Sequence, residues 1–419
     1  MGRTTGTTAG RYDAVRSLTE QLAAPLSAED QTPQSMPDAS PTKWHRAHTT
    51  WFFEEFLLAP NLDGYERFDP AFCFLFNSYY EAVGPRHPRP RRGAITRPGI
   101  AEVAAYRAHV DAAMGDLLAS DPPAEVTDLV TLGLHHEQQH QELLLMDVKH
   151  LLSGNALDPV YRETVVDDRP ADPLRWIRYD EGLRTIGAAG DDFAYDNELP
   201  AHRQWVAAFE LASRPVTVGE VRAFVDDGGY RRADLWLSDG WAAVQANGWE
   251  APLYWDDRDG EATTFTLGGR RPLVDGEPAC HLSYYEADAI ARWSGARLPT
   301  EAEWEVAAAT AKVDGNLLDL RRCHPAPVAD GADDDGPTAL FGDVWEWTSS
   351  AYLPYPGFRT APGAVGEYNG KFMVGQQVLR GGCCATPADH IRPTYRNFFP
   401  PPARWAFSGL RLARDPEPR

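Results

Sequence analysis

The sequence contains no stretch of the roughly 20 apolar residues that a membrane-spanning helix needs. Its longest apolar patches are interrupted by charge within a turn or two, so no membrane span is expected. Positive charge is also short: 40 Lys and Arg stand against 61 Asp and Glu, for a formal net charge of -21. A nucleic-acid binder normally carries a basic face or stripe, so a polyanion partner is excluded. The one basic run, Arg86-His87-Pro88-Arg89-Pro90-Arg91-Arg92, is short and reads as a clamp for a small anion. Cysteine is scarce, and none of the five (Cys73, Cys280, Cys323, Cys383, Cys384) forms a CxxC pair. That excludes a disulfide framework and a four-thiolate zinc site, and predicts reduced, mostly buried thiols in a cytoplasmic protein. Met1 to Gly10 lacks the apolar core of a secretory signal. No repeat period of 20 to 50 residues is present, and the only biased tract is the acidic Asp330 to Asp335 loop, which reads as a solvated turn.

The remaining composition, 43% hydrophobic and 24% charged, supplies material for packed cores, and 419 residues suit two domains. Up to about residue 155 the chain reads as long amphipathic helices: Tyr12 to Ala24, Ser40 to Leu58, Ile100 to Leu118 and Ala124 to Leu152. Ser40-Pro41 and Pro98-Gly99 supply start signals, and Ser153-Gly154-Asn155 a stop. A linker is expected over 156–175. Beyond it the texture changes: eleven of the 13 tryptophans lie past residue 170, and short apolar runs alternate with Gly, Pro and Asp turns. Only brief helices, Val218 to Asp226, Ser283 to Ser294 and Glu301 to Ala309, stand out there. The expectation is α+β: a helical bundle over 1–155, then an irregular α+β domain over 176–419.

The strongest local signal is His136-Glu137-Gln138-Gln139-His140. Residues four apart project from one helix face, so two imidazoles can grip one ion. In Trp44-His45-Arg46-Ala47-His48-Thr49-Thr50-Trp51, His48 shares a stripe with Trp44, Trp51 and Phe52 and so faces the core. A core histidine is ordinarily only a hydrogen-bonded packing residue. With a histidine pair on another bundle helix, however, His48 becomes a third ligand, and bundle cores are where facing helices build metal sites. Three neutral imidazoles suit iron, zinc or copper alike. His-Glu-x-x-His is also the zinc-protease signature with Glu137 as general base. The extended form of that motif requires glycine at 143 and histidine at 146, where this chain has Leu143 and Met146.

Three segments, Trp44 to Glu54, Phe76-Asn77-Ser78-Tyr79-Tyr80-Glu81 and His136 to His140, resemble in sequence and order the DinB-like four-helix bundle of the ergothioneine-type sulfoxide synthases. Leu298 to Glu305, Gly342 to Thr348, Val378 to Gly382 and Phe407 to Leu412 are similar to the formylglycine-generating-enzyme (C-type-lectin-like) domain of the same family. A formylglycine-generating enzyme as such would leave the histidine bundle without a role, and its copper-binding cysteine pair is not evident. The resemblance implies a non-haem Fe(II) held by His48, His136 and His140, with positions open to oxygen as co-substrate and to a thiolate.

The acceptor in that family is hercynine, the trimethylated betaine of histidine. The resemblance implies that Gln139 aims its imidazole, while Asn397, Phe398, Phe399 and Trp405 cover its trimethylammonium, which offers no hydrogen to donate and favours an aromatic wall. Oxygen chemistry at such a centre needs a nearby proton donor, a role a phenol can fill; Tyr79 and Tyr80 are the candidates. The branch of the family using γ-glutamylcysteine has Trp-Asp after its Arg-Asn step, where this chain has Phe398-Phe399 after Arg396-Asn397. It therefore resembles the branch using free cysteine, with Arg86 and Arg89 as carboxylate clamps. Cys383, where that branch is expected to carry serine, keeps open a second relative, selenoneine synthase, which joins hercynine to a selenosugar.

Overall fold

The computed structural model describes residues 7–190, 192–258, 260–328, 336–360 and 364–416. The acidic Asp330 to Asp335 stretch and the residues before Thr7 lie outside them. The chain groups into two compact units, Met1–Tyr161 with Pro362–Tyr368, and Arg162–Ala361 with Asn369–Arg419. No described helix is long and apolar enough to cross a membrane.

The first unit is built on α1 (Thr8–Ala23), α2 (Thr42–Phe53), the short α3 (Ala71–Phe76), α4 (Ile100–Ala119) and α5 (Ala124–Ser153). Helices α1, α2, α4 and α5 pack together as the four-membered bundle that the apolar periodicity predicts. The first helix begins at Thr8, ahead of the expected Tyr12, where Thr7 Oγ1 accepts from Gly10 N (3.2 Å), and Glu102 accepts from Gly99 N (2.8 Å) at the start of α4. Trp51, Phe52 and Phe53 are wholly buried on α2, each contributing on the order of 2 kcal/mol.

After Phe53 the helix widens into a π-helical turn, Glu54–Leu58. The Glu54 carboxylate there accepts from the hydroxyls of Tyr65 and Tyr106 (both 2.7 Å) and from Phe68 N (3.1 Å), so this buried acid is satisfied without a cation. Helix α5 approaches α2 closely because residue 133 is glycine. A Cβ there would stand 2.8 Å from Phe53 Cε1 and 3.0 Å from Phe52 Cε1. That approach is made one turn before His136.

The second unit carries α6 (Val218–Asp226), α7 (Ser238–Asn247), α8 (Tyr284–Trp293) and α9 (Glu301–Ala308) among short strands. Its largest sheet runs in the order Asn397–Phe399, Gln377–Arg380, Trp345–Ala351, Ser408–Gly409, with Glu346 opposite Arg380 and Val378 opposite Phe398. The recognisable motifs are the joints of this unit. Thr300 and Glu303 close a capping box on α9, as Ser283 and Glu286 do on α8. Trp304 Nε1 donates to Glu346 Oε2 (2.8 Å), and Arg411, fully buried, donates to both oxygens of that carboxylate. Arg380 pairs with Glu305, and Arg396 with Glu301 (2.8 Å). Charges out of water persist only when paired in this way, so these motif residues carry architecture. Four of the five cysteines are buried and all are free thiols.

Candidate metal centre

His48 comes from the middle of α2, His136 and His140 from the middle of α5, and one nitrogen from each lies within 4.8 Å of the others. The His48 ring is sandwiched between Trp44 (4.6 Å, 11°) and Trp51 (5.5 Å, 17°), its neighbours on the helical stripe. Its Nδ1 lies 2.6 Å from the carbonyl of Phe76, an acceptor, so Nδ1 carries the hydrogen and Nε2 the lone pair. That Nε2 faces His136 Nε2 at 3.2 Å. Two nitrogens each ~2.1 Å from a shared ion stand roughly 3.0 to 3.4 Å apart at ordinary coordination angles, so the pair fits a metal.

All three imidazoles are held neutral. Burial lowers His136 to about 3, and burial, reinforced by the neighbouring histidines, puts His48 and His140 well below the ordinary value. Neutral imidazole is the ligating form. His136 Nδ1 is buried with no hydrogen-bond partner among the described residues, whereas His140 Nδ1 lies 2.8 Å from His45 Nδ1.

The protease reading fails on Glu137. One residue on from His136, it turns away from the histidines: Thr19 Oγ1 (2.6 Å), Arg16 (2.9 Å) and Arg107 (3.0 Å) donate to its two oxygens. Burial would raise this carboxyl, but the two guanidiniums and the hydroxyl outweigh it and hold it at about 2. An anion locked by two cations in the bundle core has no access to a water on the metal.

A residue invisible to the sequence argument joins the centre. Tyr368, in the Pro362–Tyr368 segment that groups with the bundle, donates its hydroxyl hydrogen to Gln139 Oε1 and sets its ring edge-on to His136 (5.6 Å, 75°). The preceding Glu367 anchors the segment by accepting from Glu81 N (3.1 Å) and Ala82 N (2.9 Å). The only sequence hint was an isolated Glu-Tyr in a Gly-rich loop far from the bundle helices. Tyr79 stacks on Tyr80 (4.7 Å) and meets Tyr368 edge-on (6.5 Å). Tyr80 is fully buried against Trp51 and Phe56.

In the basic run, Arg86 pairs with Glu81 and Arg89 donates to the Asp38 carbonyl. The member that turns inward is Arg92, its guanidinium 3.4 Å above the Trp44 ring that stacks on His48. In the second unit, Asn397, Phe398 and Phe399 form one strand. Phe398 stacks on Tyr352 (4.1 Å, 11°), and Phe399 meets Trp405 edge-on (5.4 Å, 80°).

A helical bundle with a three-histidine centre, followed by an irregular α+β unit, defines a two-part protein class, and comparison with known proteins agrees. Residues 11–144 match the DinB superfamily, and residues 164–320 and 329–416 match the sulfatase-modifying factor enzyme 1-like domain. The chain is 35% identical to hercynine oxygenase of Mycolicibacterium thermoresistibile over 90% of this chain and 88% of that protein. It is 34% identical to hercynine oxygenase of Mycobacterium tuberculosis over 90% and 92%, respectively. Formylglycine-generating enzyme of Bos taurus is 26% identical over 60% of this chain and 78% of its own length. The chain belongs to the ergothioneine-type sulfoxide synthase family.

Proposed function

We propose that this chain is a cytoplasmic iron(II)- and oxygen-dependent enzyme that joins cysteine to the imidazole of hercynine, giving a hercynyl sulfoxide in ergothioneine biosynthesis. The observation that carries the reading is the triad itself: neutral His48, His136 and His140 converging in a bundle core. The relatives named hercynine oxygenase support the acceptor. The reaction balances as thiol plus imidazole C–H plus O2 giving sulfoxide plus water. Iron(II), when bound, supplies the open positions and electrons that let oxygen react.

The remaining chemistry falls to side chains. Gln139 orients the acceptor imidazole, and the Tyr368 hydroxyl that donates to its Oε1 fixes which way the amide points. The proton donor is a phenol from the group Tyr368, Tyr79 and Tyr80, with Tyr368 placed first because its ring lies against a ligand. Arg86 and Arg89 are assigned to the carboxylate of the donor. For the trimethylammonium, Asn397, Phe398, Phe399 and Trp405 are assigned by their chemistry.

The second reading, a selenosugar donor, rests on Cys383. That thiol is wholly buried and accepts from Ala385 N and Thr386 Oγ1 (both 3.4 Å), an arrangement that shapes a turn. Anaerobically reconstituted enzyme, given hercynine, oxygen and either cysteine or a seleno-donor, is read by mass spectrometry. The cysteine adduct carrying one oxygen is the expected product, a carbon to selenium adduct selects the second reading, and no hercynine adduct with any donor refutes both.

A further inference from the structure

Behind the ligand His140 stands a line of polar groups that neither the family resemblance nor the triad accounts for. His140 Nδ1 lies 2.8 Å from His45 Nδ1, and His45 Nε2 lies 2.9 Å from Asp147 Oδ2. His45 and Asp147 are both buried. The same Oδ2 accepts the Ser40 amide N–H at 2.7 Å, so it is an acceptor and His45 Nε2 must supply the hydrogen between them. At the other end of the ring, two Nδ1 atoms 2.8 Å apart require one donor and one acceptor.

If His45 donated there, His140 would carry its own hydrogen on Nε2, the nitrogen left for the centre, and could not ligate through it. Ligation through Nε2 therefore selects one arrangement: His140 Nδ1–H donating to His45 Nδ1, and His45 Nε2–H donating to Asp147. Arg92, whose guanidinium donates to Ser40 Oγ at 2.9 Å, closes the far end of the line.

Resting on the three-histidine metal reading, we infer that His45 and Asp147 are positioning residues. They form a carboxylate, imidazole, imidazole line that holds His140 in the tautomer whose Nε2 lone pair faces the metal. A ligand so held keeps its ring orientation and becomes the stronger electron donor. His48 is held in the same sense by a single carbonyl, that of Phe76, while His136 Nδ1 has no described partner. His140 is thus the one ligand of the three with a two-residue support. Its spacing is helical throughout: His45 stands one turn before His48 on α2, and Asp147 stands two turns after His140 on α5.

The test uses the full-length chain. Isotope-labelled histidine and long-range nitrogen-proton spectra of the Zn(II)-loaded wild type read the tautomers directly. The expected result is a hydrogen on Nε2 of His45 and on Nδ1 of His140, and a hydrogen on His45 Nδ1 overturns the inference. Co(II) affinity by chelator competition is then compared across variants. His45→Leu and Asp147→Asn should each weaken binding about 10- to 100-fold, the latter because an amide can turn its NH2 toward His45 and reverse the line. His45→Gln, whose amide donates at one end and accepts at the other, should recover most of the loss. Equal affinity in wild type and His45→Leu, or failure of His45→Gln to recover, refutes the positioning role. Failure of the wild type to bind Co(II) or Zn(II) instead refutes the metal reading beneath it. Should His45→Leu not fold, the wild-type tautomers decide alone.

Discussion

Replacing Gly133 by alanine sets two effects of known size against each other. Gly133 lies inside α5, where alanine is intrinsically favoured by ~0.8 to 1 kcal/mol. The added Cβ would, however, stand 2.8 Å from Phe53 Cε1, 3.0 Å from Phe53 Cζ and 3.0 Å from Phe52 Cε1. Both rings are wholly buried and cannot swing outward. Either the rings leave their rotamers or the helices part by several tenths of an ångström, an overpacking cost of roughly 1 to 3 kcal/mol. The clash should outweigh the propensity gain, leaving the variant destabilised by up to about 2 kcal/mol. The strain also falls one turn before His136, and sites tolerate only about 0.5 Å of displacement. Co(II) affinity should therefore fall by about tenfold through separation of His136 from His48. Urea unfolding followed by far-UV circular dichroism and a chelator-competition titration measure the two effects. A Gly133→Ala protein more stable than the wild type, with unchanged metal affinity, would mean that propensity decides and that the close approach is not what seats the ligand.

Three further outcomes are expected. Glu137→Gln leaves Arg16 and Arg107 sharing only Asp111 and Glu20; it should cost about 3 kcal/mol in urea unfolding yet leave Co(II) stoichiometry at one per chain, whereas loss of the metal with stability intact would return Glu137 to the site. Tyr368→Phe, which keeps the ring against His136 but removes the hydroxyl that orients the Gln139 amide, should lower kcat by at least about 100-fold and raise the KM for the acceptor if the phenol is the proton donor, and near-normal kcat moves that role to Tyr79 or Tyr80. Burial pushes the Asp343 carboxyl up to about 6 from 3.8, so the folded protein holds that proton more tightly than the unfolded chain. Stability should therefore be fully present below pH ~4 and fall by up to about 3 kcal/mol as pH rises to ~6. Asp343→Asn, which keeps the Oδ1 acceptor used by Asn316 and Ala326 and suits the positive φ of 52°, should remove that loss in urea unfolding followed by tryptophan fluorescence. An unchanged pH profile would contradict the raised value.

Much of the site was legible because helices are written in local spacing. A four-residue interval puts His136 and His140 on one face, the Trp44, His48, Trp51 stripe turns His48 inward, and the brief helices expected over Ser283 to Ser294 and Glu301 to Ala309 form at Tyr284–Trp293 and Glu301–Ala308. The α7 helix, Ser238–Asn247, was not legible, since its alternation of Gly, Trp and Ala gives neither a strong stripe nor a side-chain cap.

By itself the sequence determined the architecture and the two helices that carry the three histidines, since periodicity and capping act within a few residues and need no partner. Tertiary structure decided everything that depends on which side chains meet across the fold. It turned Glu137 into an ion pair with Arg16 and Arg107, sent Arg92 inward while Arg86 and Arg89 stayed at the surface, brought Tyr368 to Gln139, and lined Asp147 and His45 behind His140. Those outcomes follow from burial: a polar group removed from water must find its partner wherever packing has placed one, and that partner's position in the chain is arbitrary.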